Sequence, residues 1–237
     1  MNIVIDQGNS SAKVGIFDAE KLIEKYIFST HDELFQWLHQ RQFRQALVSS
    51  VRNDAEMLCS KINCSGKHFI LSHKLRFPVK IKYETPHTLG MDRLAAVCAA
   101  QAKFPNENCL VIDCGTAITY DVLDAAGNYL GGAISAGLQM KFKALHTFTS
   151  ALPLAEARHV PLTGVSTTTC IQSGVINGSI FEIEGFIARY QSIFKTIRVL
   201  LCGGDTSFFE NKLKEPIFVA PDLVLYGLNR ILLHNAE

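Results

Sequence analysis

The sequence predicts an α/β fold made of two duplicated domains, and two observations carry this prediction. Residues 3–8 read Ile-Val-Ile-Asp-Gln-Gly and residues 110–115 read Leu-Val-Ile-Asp-Cys-Gly, so each half holds a strand-like run that ends in an acid and a glycine. Strand-like and helix-like segments alternate along the rest of the chain, as they do in α/β proteins. We therefore predict one domain over residues 1–107 and a second over residues 108–237, whose last helix can pack back on the first domain.

The composition fits a folded protein of a reducing compartment. Of the 237 residues, 48% are hydrophobic, which is enough apolar material for a full core. The near balance of 23 basic and 22 acidic residues argues against a dedicated nucleic-acid binder, and no apolar run is long enough to span a membrane. The first residues lack a secretory pattern, and the odd number of cysteines argues against a disulfide framework. We therefore expect a cytoplasmic protein with no nucleic-acid and no membrane partner.

In the first half, short β-rich runs predict strands and longer amphipathic or alanine-rich runs predict helices. The alanine-rich helix at Met91–Lys103 ends just before Pro105, which cannot continue it. The strands predicted after the first run are residues 13–17, 46–51 and 68–71, and the other predicted helices are residues 32–40 and 53–61.

In the second half, residues 118–123 predict the returning strand, and residues 197–201 predict a buried strand followed by Cys-Gly-Gly-Asp. Residues 166–194 predict a long helical region, with Ser166 as a suitable N-cap because its hydroxyl accepts a backbone N–H. Residues 223–235 predict a closing helix.

The first strand is followed by Asp-Gln-Gly-Asn-Ser at residues 6–10. Glycine allows close approach of the backbone, so that N–H groups can surround a phosphate while the acid faces its metal ion. Lys13 could reach the same phosphates as a point charge. For one copy of the pattern an ordinary turn is the simpler explanation, since turns favour these residue types.

The second copy, at residues 113–116, offers Asp113 as a cation ligand and Thr116 as a hydroxyl donor. Two facing turns of this kind would form a nucleotide cleft that grips a polyphosphate from both sides. Thr119 is explained as an ordinary strand residue. The Gly-Gly-Asp run at residues 203–205 fits either contact with a nucleotide or a plain strand-to-helix turn.

Residues 83–93 place a tyrosine, a proline turn and an Asp-Arg pair at the start of a predicted helix. Asp92 could accept a hydroxyl proton, and Arg93 could bind a carboxylate or phosphate through two parallel hydrogen bonds. The alternative is structural, because acids favour the first turn of a helix and Arg93 would then be an ordinary surface residue.

Together these motifs resemble those of the type III pantothenate kinases, in the superfamily of acetate and sugar kinases, Hsc70 and actin. DQGNSSAK at residues 6–13 and DCGTAIT at residues 113–119 resemble the two phosphate motifs of that family. GMDR at residues 90–93 resembles its substrate motif, and STTTCIQSG at residues 166–174 resembles the helix whose threonine touches substrate. A glutamine follows the first acid, where the family usually has a small apolar residue. The resemblance implies two ribonuclease H-like or actin-like domains with a nucleotide cleft between them.

The resemblance also implies a role for each matching residue. Asp92 would be the general base, Asp113 would hold a monovalent cation (potassium or ammonium), and Mg²⁺ would accompany ATP. Thr167, or its neighbour Thr168, would reach the substrate across the interface of a homodimer. The ATP-binding residues would be Asp6, Gln7, Gly8, Asn9, Ser10, Ser11, Ala12, Lys13 and Thr116, and the substrate-binding residues would be Tyr83, Gly90, Met91, Asp92, Arg93 and Thr167.

The activity that this resemblance implies is transfer of the ATP γ-phosphoryl group to pantothenate. The product would be 4'-phosphopantothenate, in the first step of coenzyme A biosynthesis. Two alternatives stay open at this point: a kinase for another small hydroxyl or carboxylate acceptor, and a non-catalytic regulatory relative.

Overall fold

The computed structural model describes residues 1–214 and 216–236. The strands are β1 (Asn2–Gln7), β2 (Ala12–Asp18), β3 (Lys21–Phe28), β4 (Gln45–Ser50), β5 (His68–Ile70), β6 (Lys80–Ile81), β7 (Cys109–Cys114), β8 (Ala117–Leu123), β9 (Asn128–Ala136), β10 (Arg198–Cys202) and β11 (Phe218–Val219). The helices are α1 (His31–His39), α2 (Ala55–Ser60), α3 (Met91–Lys103), α4 (Leu138–Thr147), α5 (Thr167–Phe194), α6 (Thr206–Phe209) and α7 (Leu223–Ala236), and a 3₁₀ turn at Pro86–Thr88 precedes α3.

The elements predicted from the sequence are confirmed to within a residue or two at their ends. The helix α3 has the predicted bounds, and the Ser166 hydroxyl caps α5 by accepting the N–H of Thr169 at 3.2 Å. The sequence pattern missed β3, β9 and α4, and also the short elements β6, β11 and α6. The strand β3 is an edge strand with mostly exposed residues, so it lacks the buried alternation that marks a strand in a sequence.

One compact unit comprises Met1–Asn106, Leu123–Leu130 and the chain from Asp222 onward. Its sheet has the order β3-β2-β1-β4-β5, with β1 antiparallel to β2 and parallel to β4. Apolar side chains of β1, β2, β4, α1 and α2 form one buried core in this unit. The helices α3 and α7 pack closely, since a Cβ at Gly227 would lie only 1.8 Å from the carbonyl oxygen of Ala95.

The hairpin tip at Leu123–Leu130 clusters with this first unit, although the sequence prediction assigned it to the second domain. The cause is strand pairing: Lys80 and Ile81 of β6 lie opposite Asn128 and Tyr129 of β9 in a parallel ladder. The N–H of Lys82 extends the ladder by donating to the carbonyl of Tyr129 at 2.9 Å. The closing helix α7 also belongs to this unit.

The second unit comprises Glu107–Val122 and Gly131–Pro221. Its strands follow the order β11-β10-β7-β8-β9, and β10 is parallel to both β7 and β11. A buried apolar core lies between this sheet and the helices α4 and α5. The carboxyl ends of β7 and β10 lie side by side, with Asp113 opposite Cys202, and this edge positions the second predicted turn.

Within the described ranges, no helix combines the length and the hydropathy needed to cross a bilayer.

Candidate active site

The first predicted turn follows β1 in the first unit. Asp6 lies directly opposite Lys13 in the antiparallel pair of β1 and β2, so their side chains share one face of the sheet. The N–H of Gly8 donates to the carbonyl of Ser11 at 3.0 Å and closes the turn. Ser10 is exposed at its tip. The turn therefore presents polar groups next to the Asp6 carboxylate and the Lys13 ammonium, an arrangement suited to binding a phosphate and its metal ion.

Two residues of this motif have side chains that build the turn. Gln7 is 2% exposed, and its Nε2 donates to the carbonyl of Gly8 at 2.8 Å. The Oε1 of Gln7 lies 3.3 Å from Nε2 of His31. Ala12 is also 2% exposed and packs in the core. These two side chains stabilise the turn from within.

The predicted substrate segment folds as a cluster at the start of α3. Arg93 is buried, so the alternative that it is a surface residue is wrong. Its guanidinium carbon lies 5.9 Å from the ring centroid of Tyr83, which stacks on Tyr129 with centroids 6.1 Å apart. Asp92 is exposed, and its Oδ1 accepts the N–H of Arg93 at 2.9 Å.

Gly90 gives the Asp92 carboxylate its space. A Cβ at this position would lie 2.6 Å from Oδ1 of Asp92, well inside contact distance. The φ of −60° at Gly90 is one that any residue adopts, so the glycine is needed for the close approach and not for the backbone angle.

The second predicted turn follows β7 in the second unit, where Gly203 leaves space beside Asp113. Gly203 has φ of +97°, and a Cβ there would lie 2.4 Å from Oδ1 of Asp113. The thiol of Cys202 forms a hydrogen bond with the Asp113 carboxylate. Burial raises the pKa of this thiol well above its usual range, and the adjacent carboxylate raises it further, so Cys202 stays protonated and donates.

The start of α4 contacts this second turn. The N–H of Gly137 donates to the carbonyl of Thr116 at 3.1 Å, and a Cβ at Gly137 would lie 2.1 Å from the carbonyl oxygen of Gly115. Thr116 itself is exposed. The amino end of a ten-residue helix therefore lies next to the predicted phosphate-binding threonine, and its dipole favours negative charge there.

Asp205 is a further acid beside this turn. Its N–H donates to the carbonyl of Cys114 at 2.8 Å, and burial raises the pKa of its carboxyl. Gly137 was not among the predicted site residues, and Asp205 was noted only within the Gly-Gly-Asp run at residues 203–205, which fitted either contact with a nucleotide or a plain turn.

The predicted substrate threonine lies at the first turn of α5 in the second unit. The hydroxyl of Thr169 belongs to the N-terminal cap of α5, because its Oγ1 accepts the N–H groups of Val165 and Ser166 at 3.0 and 2.9 Å. Thr167 and Thr168 are both exposed. The structure thus groups Tyr83 with Gly90–Arg93 in the first unit, and holds Asp113, Thr116 and Thr167 in the second.

Across residues 1–214 and 216–236, no three His, Cys, Asp or Glu side chains gather as a metal site. A cation bound at either turn would therefore need oxygen ligands from backbone, water or phosphate in addition to a carboxylate, as is usual for Mg²⁺ in nucleotide sites.

The fold is shared with solved structures of low sequence identity. An inorganic polyphosphate/ATP-glucomannokinase from Arthrobacter is similar with a TM-score of 0.50 and 14% identity, over 98% of each chain. A conserved protein from Campylobacter jejuni, described as of the Baf family of transcriptional activators, is similar with a TM-score of 0.65 and 20% identity, again over 98% of each chain. Such identities show the fold alone, and they confirm the predicted α/β fold class.

Sequence comparison defines the family within that class. The profile of the type III pantothenate kinases matches residues 2–189. A type III pantothenate kinase of Cytophaga hutchinsonii is 46% identical over 236 residues, which cover 99% of this chain and all of that protein. The chain therefore belongs to the type III pantothenate kinase family, and the predicted resemblance is confirmed.

Proposed function

We propose that this chain transfers the γ-phosphoryl group of ATP to pantothenate, with Asp92 as the general base, and so forms 4'-phosphopantothenate for coenzyme A biosynthesis. One observation carries the proposal beyond the family match. At the start of α3 an exposed carboxylate, a buried guanidinium and an aromatic face lie together, and Gly90 leaves room for the carboxylate.

Arg93 and Tyr83 recognise the acceptor. Pantothenate carries a carboxylate, and a guanidinium binds a carboxylate through two parallel hydrogen bonds. Burial of Arg93 strengthens this contact because the local dielectric is lower than that of water. The ring of Tyr83, supported by Tyr129, gives the acceptor an apolar surface to lie against.

Asp92 orients the attacking hydroxyl. Its Oδ1 is held by the N–H of Arg93, and its second oxygen can accept the hydroxyl proton of pantothenate. Phosphoryl transfer needs little covalent help from the protein, so orientation and charge neutralisation supply most of the rate. Asp92 therefore acts chiefly by holding the hydroxyl in line and receives its proton late.

The two turns bind the phosphates of ATP. The first supplies backbone N–H groups, the Ser10 hydroxyl and the Lys13 ammonium, and the second supplies Thr116 beside the amino end of α4. Asp6 would hold the Mg²⁺ that accompanies ATP. Asp113, at the carboxyl end of β7, would supply the carboxylate for the monovalent cation. When bound, these cations neutralise negative charge that develops on the phosphoryl oxygens.

A homodimer is part of the proposal, with Thr167 of one protomer reaching pantothenate bound to the other. Helix α5 offers a suitable face: a Cβ at Gly174 or Gly178 would meet no described atom within 4 Å, and Phe181 nearby is 55% exposed. Sedimentation equilibrium tests the assembly, and Thr167→Ala tests the contact through a raised KM for pantothenate. A monomeric enzyme of full activity would contradict this part of the proposal.

The direct test of the catalytic role is Asp92→Asn. Removal of a general base lowers rates by about 100- to 10,000-fold, so kcat should fall in this range while calorimetry finds nucleotide affinity within about twofold of wild type. Glu84→Gln is the matched control, because Glu84 is an exposed acid in the same segment. Near-wild-type kcat in Asp92→Asn would remove Asp92 from the mechanism. A panel of other hydroxyl acceptors tests whether pantothenate is the preferred substrate.

A further inference from the structure

His31, Asp54 and Gln7 form a polar cluster beside the first phosphate turn. His31 is the first residue of α1, and Asp54 directly precedes α2. The Nε2 of His31 lies 3.3 Å from Oε1 of Gln7 and 3.2 Å from Oδ2 of Asp54. Both neighbours are oxygen acceptors, so Nε2 carries the proton and shares it between them.

The orientation of the Gln7 amide follows from its partners. Its Nε2 donates to the carbonyl of Gly8 at 2.8 Å, and the flipped amide would set Oε1 against that carbonyl oxygen. The side chain of Gln7 therefore links His31 on one side to the backbone of the phosphate turn on the other.

The orientation of the Gly8 carbonyl sets the direction of the neighbouring Asn9 N–H, which is a candidate donor to a phosphate. In a trans peptide the C=O and the next N–H point in opposite directions, so a Gly8 carbonyl held toward the Gln7 side chain turns the N–H of Asn9 away from that buried side chain. Asn9 is exposed in the turn, where that N–H can meet a phosphate oxygen. The amide of Gln7 thus fixes the aim of one phosphate donor.

Asp54 is itself held in place. The hydroxyl of Ser50 donates to Oδ1 of Asp54 and accepts the N–H of Arg52 at 2.9 Å. The carbonyl of Gln7 accepts the N–H of Val51 at 3.1 Å, which ties the same loop to the end of β1. The carboxylate that fixes His31 is therefore anchored to the strand next to the turn.

We propose that His31 and Asp54 are positioning residues for ATP. They hold the amide of Gln7, which holds the Gly8 carbonyl and so aims the Asn9 N–H at the nucleotide phosphates. The inference rests on the proposed function of the first turn, and it accounts for a glutamine at a position where the family usually has a small apolar residue.

The test compares His31→Ala, His31→Gln and Gln7→Leu with wild type in steady-state kinetics. One lost hydrogen bond corresponds to about a three- to tenfold rise in KM for ATP, with kcat and KM for pantothenate within about twofold. His31→Gln should restore most of the affinity, because its Nε2 can donate to the same two oxygens. His39→Ala is the matched control, an exposed histidine at the other end of α1.

Calorimetric binding of a non-hydrolysable ATP analogue with Mg²⁺ separates this inference from the proposed function. Weaker binding to His31→Ala, recovered in His31→Gln, supports the positioning role whatever the acceptor. Unchanged binding in both His31→Ala and Gln7→Leu overturns it, even if wild type phosphorylates pantothenate. An equal loss of affinity for the ATP analogue in His31→Ala and His31→Gln also overturns the inference, because a hydrogen-bond donor at residue 31 would then make no difference.

Discussion

Replacement of Gly90 by alanine is expected to lower turnover strongly while the fold stays intact. The φ of −60° at this position suits alanine, so the backbone is not strained. The added Cβ would lie 2.6 Å from Oδ1 of Asp92 and 3.5 Å from Cδ of Arg93. Only the Asp92 carboxylate must therefore move, and it is the group proposed to orient the acceptor hydroxyl.

The size of the effect follows from these distances. Ordinary van der Waals contact begins at 3.4 Å, so the carboxylate must retreat by about 0.8 Å. A misplacement of about 1 Å in a catalytic group costs on the order of 100-fold in rate, and we expect a loss of that size in kcat. The free energy of unfolding should change by less than about 1 kcal/mol, since a Gly-to-Ala change at a compatible φ is itself mildly stabilising.

The assay pairs initial-rate kinetics with urea unfolding, and His39→Ala is the control. His39 is exposed in the last turn of α1, so that variant should keep both its turnover and its fold. Near-wild-type kcat in Gly90→Ala would refute the reasoning, because the carboxylate would then tolerate displacement. A loss of turnover accompanied by a large loss of unfolding free energy would refute it as well, because the substitution would then act on folding and not on the carboxylate.

Three further predictions concern packing, pH and the cation. Gly227→Ala should lower the free energy of unfolding by about 1–3 kcal/mol, because its Cβ would overlap the backbone of Ala95. Urea titration measures this change, and an unchanged midpoint of urea unfolding would contradict the close packing of α3 and α7. Burial is the largest influence on Glu182 and opposes its ionisation, but the hydrogen bonds with Lys141, Tyr120 and Ser135 and the charge of Lys141 together outweigh it and lower the pKa. The stability from these contacts is therefore complete above the ordinary value of 4.5 and is lost as pH falls through the lowered pKa. Glu182→Gln should be less stable than wild type at pH 7 and should approach it in acid, and parallel pH curves would contradict this. Asp113→Asn should remove any activation by potassium in rate assays, and retained activation would exclude Asp113 as the cation ligand.

Much of the fold could be predicted because its signals are local. The repeated strand-acid-glycine run located β1 and β7, and Pro105 and Ser166 marked the end of α3 and the start of α5. The edge strand β3 was missed because an exposed strand carries little hydrophobic alternation. The sequence prediction kept the hairpin tip at Leu123–Leu130 with the second half, because its pairing with β6 joins segments far apart in the chain.

The residue types that the site needs could be predicted from the sequence, but the contacts that hold those residues in place could not. Nothing local in the sequence shows that the thiol of Cys202 bonds to Asp113, or that Gly137 meets Thr116. In the sequence Gln7 is only a departure from the family pattern, because its partner His31 lies on another element. Contacts of this kind join residues of different elements, so they can be identified only in the folded structure, where strand ends and helix starts lie next to each other.

The measurement that tests the central claim most directly is ADP release from ATP and Mg²⁺, with and without pantothenate, in potassium and in sodium buffers. The account predicts ADP release that depends on pantothenate and is faster in potassium, with 4'-phosphopantothenate formed in equal amount. Absence of pantothenate-dependent ADP release in both buffers would contradict it.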